Sequence, residues 1–174
     1  MTVTLEPDVM VEDTSIWPAM TALISCLCSQ LQLDGLPPVC ICSPMPGEAI
    51  ATDYVSEDAG MAWVRLVQAW PSTSFPAVDP GPGCGAPLAF GLELGVAYCA
   101  PGPDEDGGPP DLVAQFEATR LQVAAMNTMR RAIACCVPNR RAADVVLATY
   151  APMGPEGGVV GGAGTLTVAQ GALR

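Results

Sequence analysis

The chain has 174 residues, half of them apolar, enough for one domain with a sizeable core. Lys+Arg is 7 against 18 Asp+Glu, and the formal net charge of −11 excludes a sequence-independent grip on nucleic acid, which depends on neutralising phosphates. There is no His and no Lys, so every cation is an Arg, and the side chain best suited to moving protons near neutral pH or holding a metal is missing.

Residues 1–13 carry Glu6, Asp8, Glu12 and Asp13 without a clear period and read as an acidic N-terminal arm. Residues 14–174 read as a single domain. Thr14 or Ser15 can cap a helix, Pro18 suits its first turn, and Trp17, Met20, Ile24, Leu27 and Leu31 recur at helical spacing up to Asp34-Gly35. Pro37-Pro38 leads into a short strand, Val39 to Cys42. Glu48 to Gly60, with Asp53, Glu57 and Asp58 and no basic residue, reads as a long acidic loop or the tip of a long hairpin. Met61 to Trp70 returns to strand-like content, and 71–87 is an irregular connection rich in Pro and Gly.

Pro87 to Cys99 is the most strongly patterned stretch. Leu88, Phe90, Leu92, Leu94, Val96 and Tyr98 alternate with Ala89, Gly91, Glu93, Gly95 and Ala97, and only a period of two fits. It predicts a long strand with one bulky buried face and one thin face open to close approach by something else. An acidic Pro/Gly loop follows. Asp111 then caps a helix to about Cys136, with Arg130-Arg131 near its end to complement the dipole and Leu112, Phe116, Val123, Met126, Met129 and Ile133 as its apolar face. Asp144 to Tyr150 and Thr165 to Val168 are the last two strands, with Gly157-Gly158 and Gly161-Gly162 at a hairpin tip. The order predicts an α+β fold, a mixed, largely antiparallel β-sheet with two amphipathic helices on one face.

Little in the sequence carries chemistry. Eight Cys are present, but the opening residues have neither the basic start nor the apolar core of a secretory signal, so reduced, mostly buried thiols are expected. Cys26 and Cys28 point apart on a helix, and Cys40 and Cys42 share a strand face only as any such pair does, so no metal is expected. A Cys84–Cys99 bridge needs an oxidising setting. No base is available to activate a Cys nucleophile, and the carboxylate pairs sit in glycine-rich loops, so no catalytic residue and no cofactor is expected. No apolar run reaches the roughly 20 residues of a bilayer span, so no membrane role is expected. Arg130, Arg131, Arg140 and Arg141 form a basic end, either a capped helix terminus or one half of a head-to-tail contact with acidic loops of a neighbouring subunit.

Gly83-Cys-Gly-x-Pro-Leu-Ala, Leu92-Glu-Leu-Gly-Val, Cys99-x-Pro, Met129-Arg-Arg-Ala-Ile and the closing Gly154-Pro-x-Gly-Gly-x-x-Gly-Gly-x-x-Thr-Leu-Thr-Val together resemble neck proteins of long-tailed actinobacterial phages, and more narrowly the tail terminator family. The resemblance covers roughly 15–170 and rests on structural motifs. It implies a virion protein, made in the host cytoplasm, whose six copies form a ring that caps the tail tube and joins it to the head-side connector. Its partners would be itself as a homohexamer, the tail tube protein, the head-side stopper or connector, and DNA that passes without specific binding. An acidic lumen suits that passage. The Glu48–Asp58 stretch is then a lumen or tube-facing rim, with a solvated surface loop as the alternative, and the thin strand face is available to a neighbour. Candidate lumen or interface residues are Glu48, Asp53, Glu57, Asp58, Glu93, Arg130, Arg131, Arg140 and Arg141. The alternatives are a head-to-tail stopper or connector and, from another class, an acidic module that mimics DNA.

Overall fold

The computed structural model describes residues 16–81, 83–103, 106–136, 144–155 and 158–170. The N-terminal arm, the cap at Thr14 or Ser15, Gly157, Arg140 and Arg141 lie outside the described residues.

Helix α1 (Ile16–Leu33) buries Ala19, Met20, Leu23, Ile24, Leu27 and Leu31, a stripe at spacings of three and four. Trp17 was expected on this stripe but is half-exposed, because it stands at the stripe's margin in the first turn. The helix stops where the sequence predicts. Gly35 has φ +68°, its N–H donates to Gln32 O at 3.1 Å and the Leu36 N–H to Leu31 O at 3.1 Å, a left-handed cap that glycine adopts without strain. By length and mean hydropathy (1.3) α1 could cross a bilayer, unlike the expectation from the sequence, yet its apolar stripe is packed in the core.

Among the described residues five strands form one sheet: β1 (Val39–Pro44), β2 (Gly60–Pro71), β3 (Leu88–Cys99), β4 (Val145–Met153) and β5 (Val159–Ala169), in the order β1-β2-β3-β5-β4. β1 and β2 are parallel and the other neighbours antiparallel. With α1 and α2 (Leu112–Cys136) this is an α+β fold with a mixed, mostly antiparallel sheet.

The bulky face of β3 carries the core. Phe90, Leu92, Leu94, Val96 and Tyr98 pack with the α1 stripe and with Ala125, Met129, Ala132 and Ile133 of α2. Asp111 caps α2, its Oδ2 accepting from the Val113 N–H at 3.1 Å and the Ala114 N–H at 3.3 Å. The predicted apolar face of α2 divides in two. Leu112, Phe116 and Val123 are exposed, whereas Met129 and Ile133 are buried, because at 100° per residue the mean directions of the two sets stand about 100° apart.

Two further expectations change. Parallel pairing of β1 with β2 rules out a hairpin between them, so residues 45–59 form a crossover, the connection parallel neighbours require. Gly161 and Gly162 belong to β5 rather than a hairpin tip, and the missing side chain at Gly162 lets Met126 and Met129 lie directly on the sheet.

Candidate functional site

The thin face of β3 was expected to await a neighbour, but the chain covers it itself. Register pairs Trp63 with Gly95 and Arg65 with Glu93 across β2 and β3. The Trp63 indole occupies the space that a side chain at Gly95 would need. Above it, Met45, Ile50 and Val55 of the crossover pack against Met61, Trp63, Ala97 and Val159 in a second, smaller core. Trp63 is fully buried.

Glu93, a candidate interface residue, is therefore committed internally. Its carboxylate accepts from Arg65 Nε at 2.7 Å, Arg65 Nη2 at 2.8 Å and Trp63 Nε1 at 3.1 Å. The two side chains of the ion pair are 16% and 15% exposed, and Arg65 also donates to the carbonyls of Gly47 and Glu48, tying the crossover down. The Arg65 hydrogen bonds hold the Glu93 carboxyl below its ordinary value, against the opposing pull of burial and with help from Trp63.

The four acids of the crossover are exposed, as a lumen rim or a solvated loop would both require. Glu48 lies beside the Arg65 anchor, whereas Glu57 and Asp58 reach the end of β3 at Tyr98 and Cys99, next to Leu121 of α2. Glu57 also borders a groove of about 870 Å³ along the N-terminal half of α2. The groove exists because α2, with 25 residues, runs on past the end of α1, with 18. Leu36, Pro37, Ala100, Pro101, Ala114, Ala118, Leu121 and Ala124 supply its apolar surface, and Asp34, Glu57, Glu117 and Arg120 its charges.

Two of those acids are already answered. Asp34 accepts from Thr128 Oγ1 and from Arg131, at 3.1 Å through Nε, and from Gln30 Nε2 at 2.9 Å. Burial pulls its carboxyl upward, but the bonds from Thr128, Arg131 and Gln30 outweigh it and hold the group below its ordinary value. Glu117 pairs with Arg120 at 2.8 Å on the exposed helix surface.

The basic end is reduced accordingly. Arg131 is not a dipole partner at the helix terminus, as read from the sequence; it stands five residues before Cys136 and joins α2 to the end of α1. Arg130 is exposed.

The cysteines also depart from expectation. Cys28 and Cys42 form a disulfide with Cα atoms 6.3 Å apart, within the usual range, and Cys26 is disulfide-bonded too. Cys40 and Cys42 do not share a face, because a register shift between Val39 and Ile41 puts Cys42 toward α1 and leaves Cys40 exposed. Cys84 and Cys99 are exposed, free thiols, not buried ones and not a bridge. Among the described residues no three His, Cys, Asp or Glu side chains gather as metal ligands would.

Three features were missed in the sequence. The pairing of Arg65 and Trp63 with Glu93 was signalled by their shared strand parity. The exposed stripe of Leu112, Val113 and Phe116 was signalled by a helical projection that separates it from Met129 and Ile133. The groove, which depends on where α1 ends against α2, had no local signal. No protein-family model and no curated protein sequence matches the chain.

Proposed function

We propose that this is a structural virion protein, a tail terminator whose copies close into a ring on the tail tube and meet the head-side connector. The observation that carries the reading is the distribution of exposed groups about a finished fold. One face of the sheet is covered by the chain's own helices and part of the other by the crossover, with Leu66 and Val67 of β2 and Val146 of β4 left exposed, and α2 carries unsatisfied surface toward each of its ends. One end has an apolar groove bordered by Glu57, with exposed Leu112, Val113 and Phe116; toward the other stands exposed Arg130. A subunit whose two ends differ and complement each other makes heterologous contacts, which close into a ring when the rotation allows. The sequence motifs that resemble those of tail terminators agree with such a subunit, and the excess of carboxylates suits a ring through which DNA slides.

Electron microscopy of the purified full chain, with and without tail tubes, tests the reading. A six-fold ring that caps tubes supports it, as do overlong polytubes when the gene is deleted. A strictly monomeric protein that leaves tube length unchanged rejects it, and loss of the gene with tails of normal length points to the stopper instead.

A further inference from the structure

We infer that the N-terminal half of α2 is the docking surface for a second copy of this chain, and that it receives the Arg130 end of the partner's α2. This rests on the ring-forming reading and names the contact that would close the ring.

The surface is unusual for a helix already packed on a sheet. Leu112, Val113 and Phe116 are 78%, 67% and 66% exposed within the first five residues of α2, and Val123 continues the stripe two turns on. Contiguous large apolar side chains on the outward side of a helix mark a surface that another molecule covers. Beside the stripe lies the groove, with small side chains along the helix wall and room for a segment of chain.

Charge selects the occupant. Asp34 and Glu117 are paired, whereas among the described residues Glu57 and its neighbour Asp58 have no cationic partner. The chain is short of cations, and those described are mostly in use: Arg65 is bound to Glu93, Arg120 to Glu117 and Arg131 to Asp34, while Arg130 is exposed without an ion pair. Arg130 points away from Glu57 and Asp58: Leu121, the α2 residue beside those two acids, is nine residues from it, about 14 Å along the helix at 1.5 Å per residue and on the opposite side at 100° per residue. Among the described residues Arg130 is thus the cation left to answer Glu57 and Asp58, and it does so from another copy, in a heterologous contact. The acidic N-terminal arm is a poorer occupant, because its carboxylates would meet Glu57 and Asp58.

The test uses the full chain. Sedimentation velocity compares wild type with Phe116→Asp, Arg130→Glu, and the charge swap Arg130→Glu with Glu57→Arg, and circular dichroism verifies the fold of each. These positions are exposed, so the variants should fold as wild type does. Each of the two single variants is expected to weaken association at least tenfold, and the swap to recover it to within about threefold of wild type. A photo-crosslinking residue at 116 is expected to capture a partner peptide from the Arg130 end. Wild-type rings accompanied by unaffected single variants or an unrecovered swap would overturn the inference and leave the ring reading standing. Crosslinks only between two 112–123 segments, or only to a different protein, would also overturn it. A wild-type chain that never associates removes both.

Discussion

At the scale of single residues, the Arg65–Glu93 pair is the most consequential polar feature, because it lies under the crossover and anchors it. Glu93 holds its proton less tightly in the folded chain than an ordinary Glu does, so the unfolded chain binds more protons as the pH falls. The pair's contribution is thus complete above the ordinary Glu value of about 4.3 and is lost as the pH drops below it. Asp34, held low by Thr128 and Arg131, acts in the same direction. We expect Glu93→Gln to lower stability at pH 7 and to flatten the dependence of the urea midpoint on pH below about 5, whereas Arg65→Ala should cost about 2 kcal/mol at neutral pH by leaving a half-buried carboxylate with Trp63 as its one remaining donor. An unchanged acid limb in Glu93→Gln would contradict this account. Tyr98 sets the other limit. Burial pushes its hydroxyl to about 12, so its contribution is complete below about 10 and is lost as the pH rises toward 12, a loss that Tyr98→Phe should remove from alkaline unfolding curves.

At the scale of elements, two contacts decide how strands and helices stay together. Gly95 exists so that β2 can lay Trp63 across β3. We expect Gly95→Ala to cost about 3 kcal/mol by overpacking, since the added Cβ would overlap the indole ring, and a second change of Trp63→Leu to recover part of that loss. Additive losses in the double variant, measured by chemical denaturation, would show that the two sites are not coupled as described. The Cys28–Cys42 disulfide joins α1 to the edge strand β1 across a sequence separation of 14. Cross-linking a loop of that size restricts the unfolded chain by about 3 kcal/mol. The Cys28→Ser, Cys42→Ser variant should therefore melt roughly 6–12 °C lower, read by calorimetry.

At the scale of the whole molecule, the fold was largely legible. The period-two pattern of β3, the Gly35 stop of α1 and the Asp111 start of α2 are local signals, and local signals survive into the structure. What was not legible depended on contacts between distant segments. The thin face of β3 reads as vacant until Trp63 and the crossover are known to cover it, and parallel pairing of β1 with β2 has no local mark. The disulfide was excluded by an argument from compartment, although proximity of α1 to β1 decides it. Of the candidate site, the exposure of Glu48, Asp53, Glu57 and Asp58 followed from their loop, but Glu93 was drawn inward by Arg65 and the exposed Arg131 was tied to Asp34, partners that only the tertiary arrangement supplies.

The crossover leaves an optical trace. Of the three tryptophans, Trp17 faces solvent, Trp70 is partly exposed and donates to the Pro76 carbonyl, and Trp63 is sealed beneath Met45, Ile50 and Val55. The blue edge of the emission spectrum therefore belongs to Trp63, and a red shift confined to that component reports water entering under the crossover while the helix-packed core on the far side of the sheet remains dry.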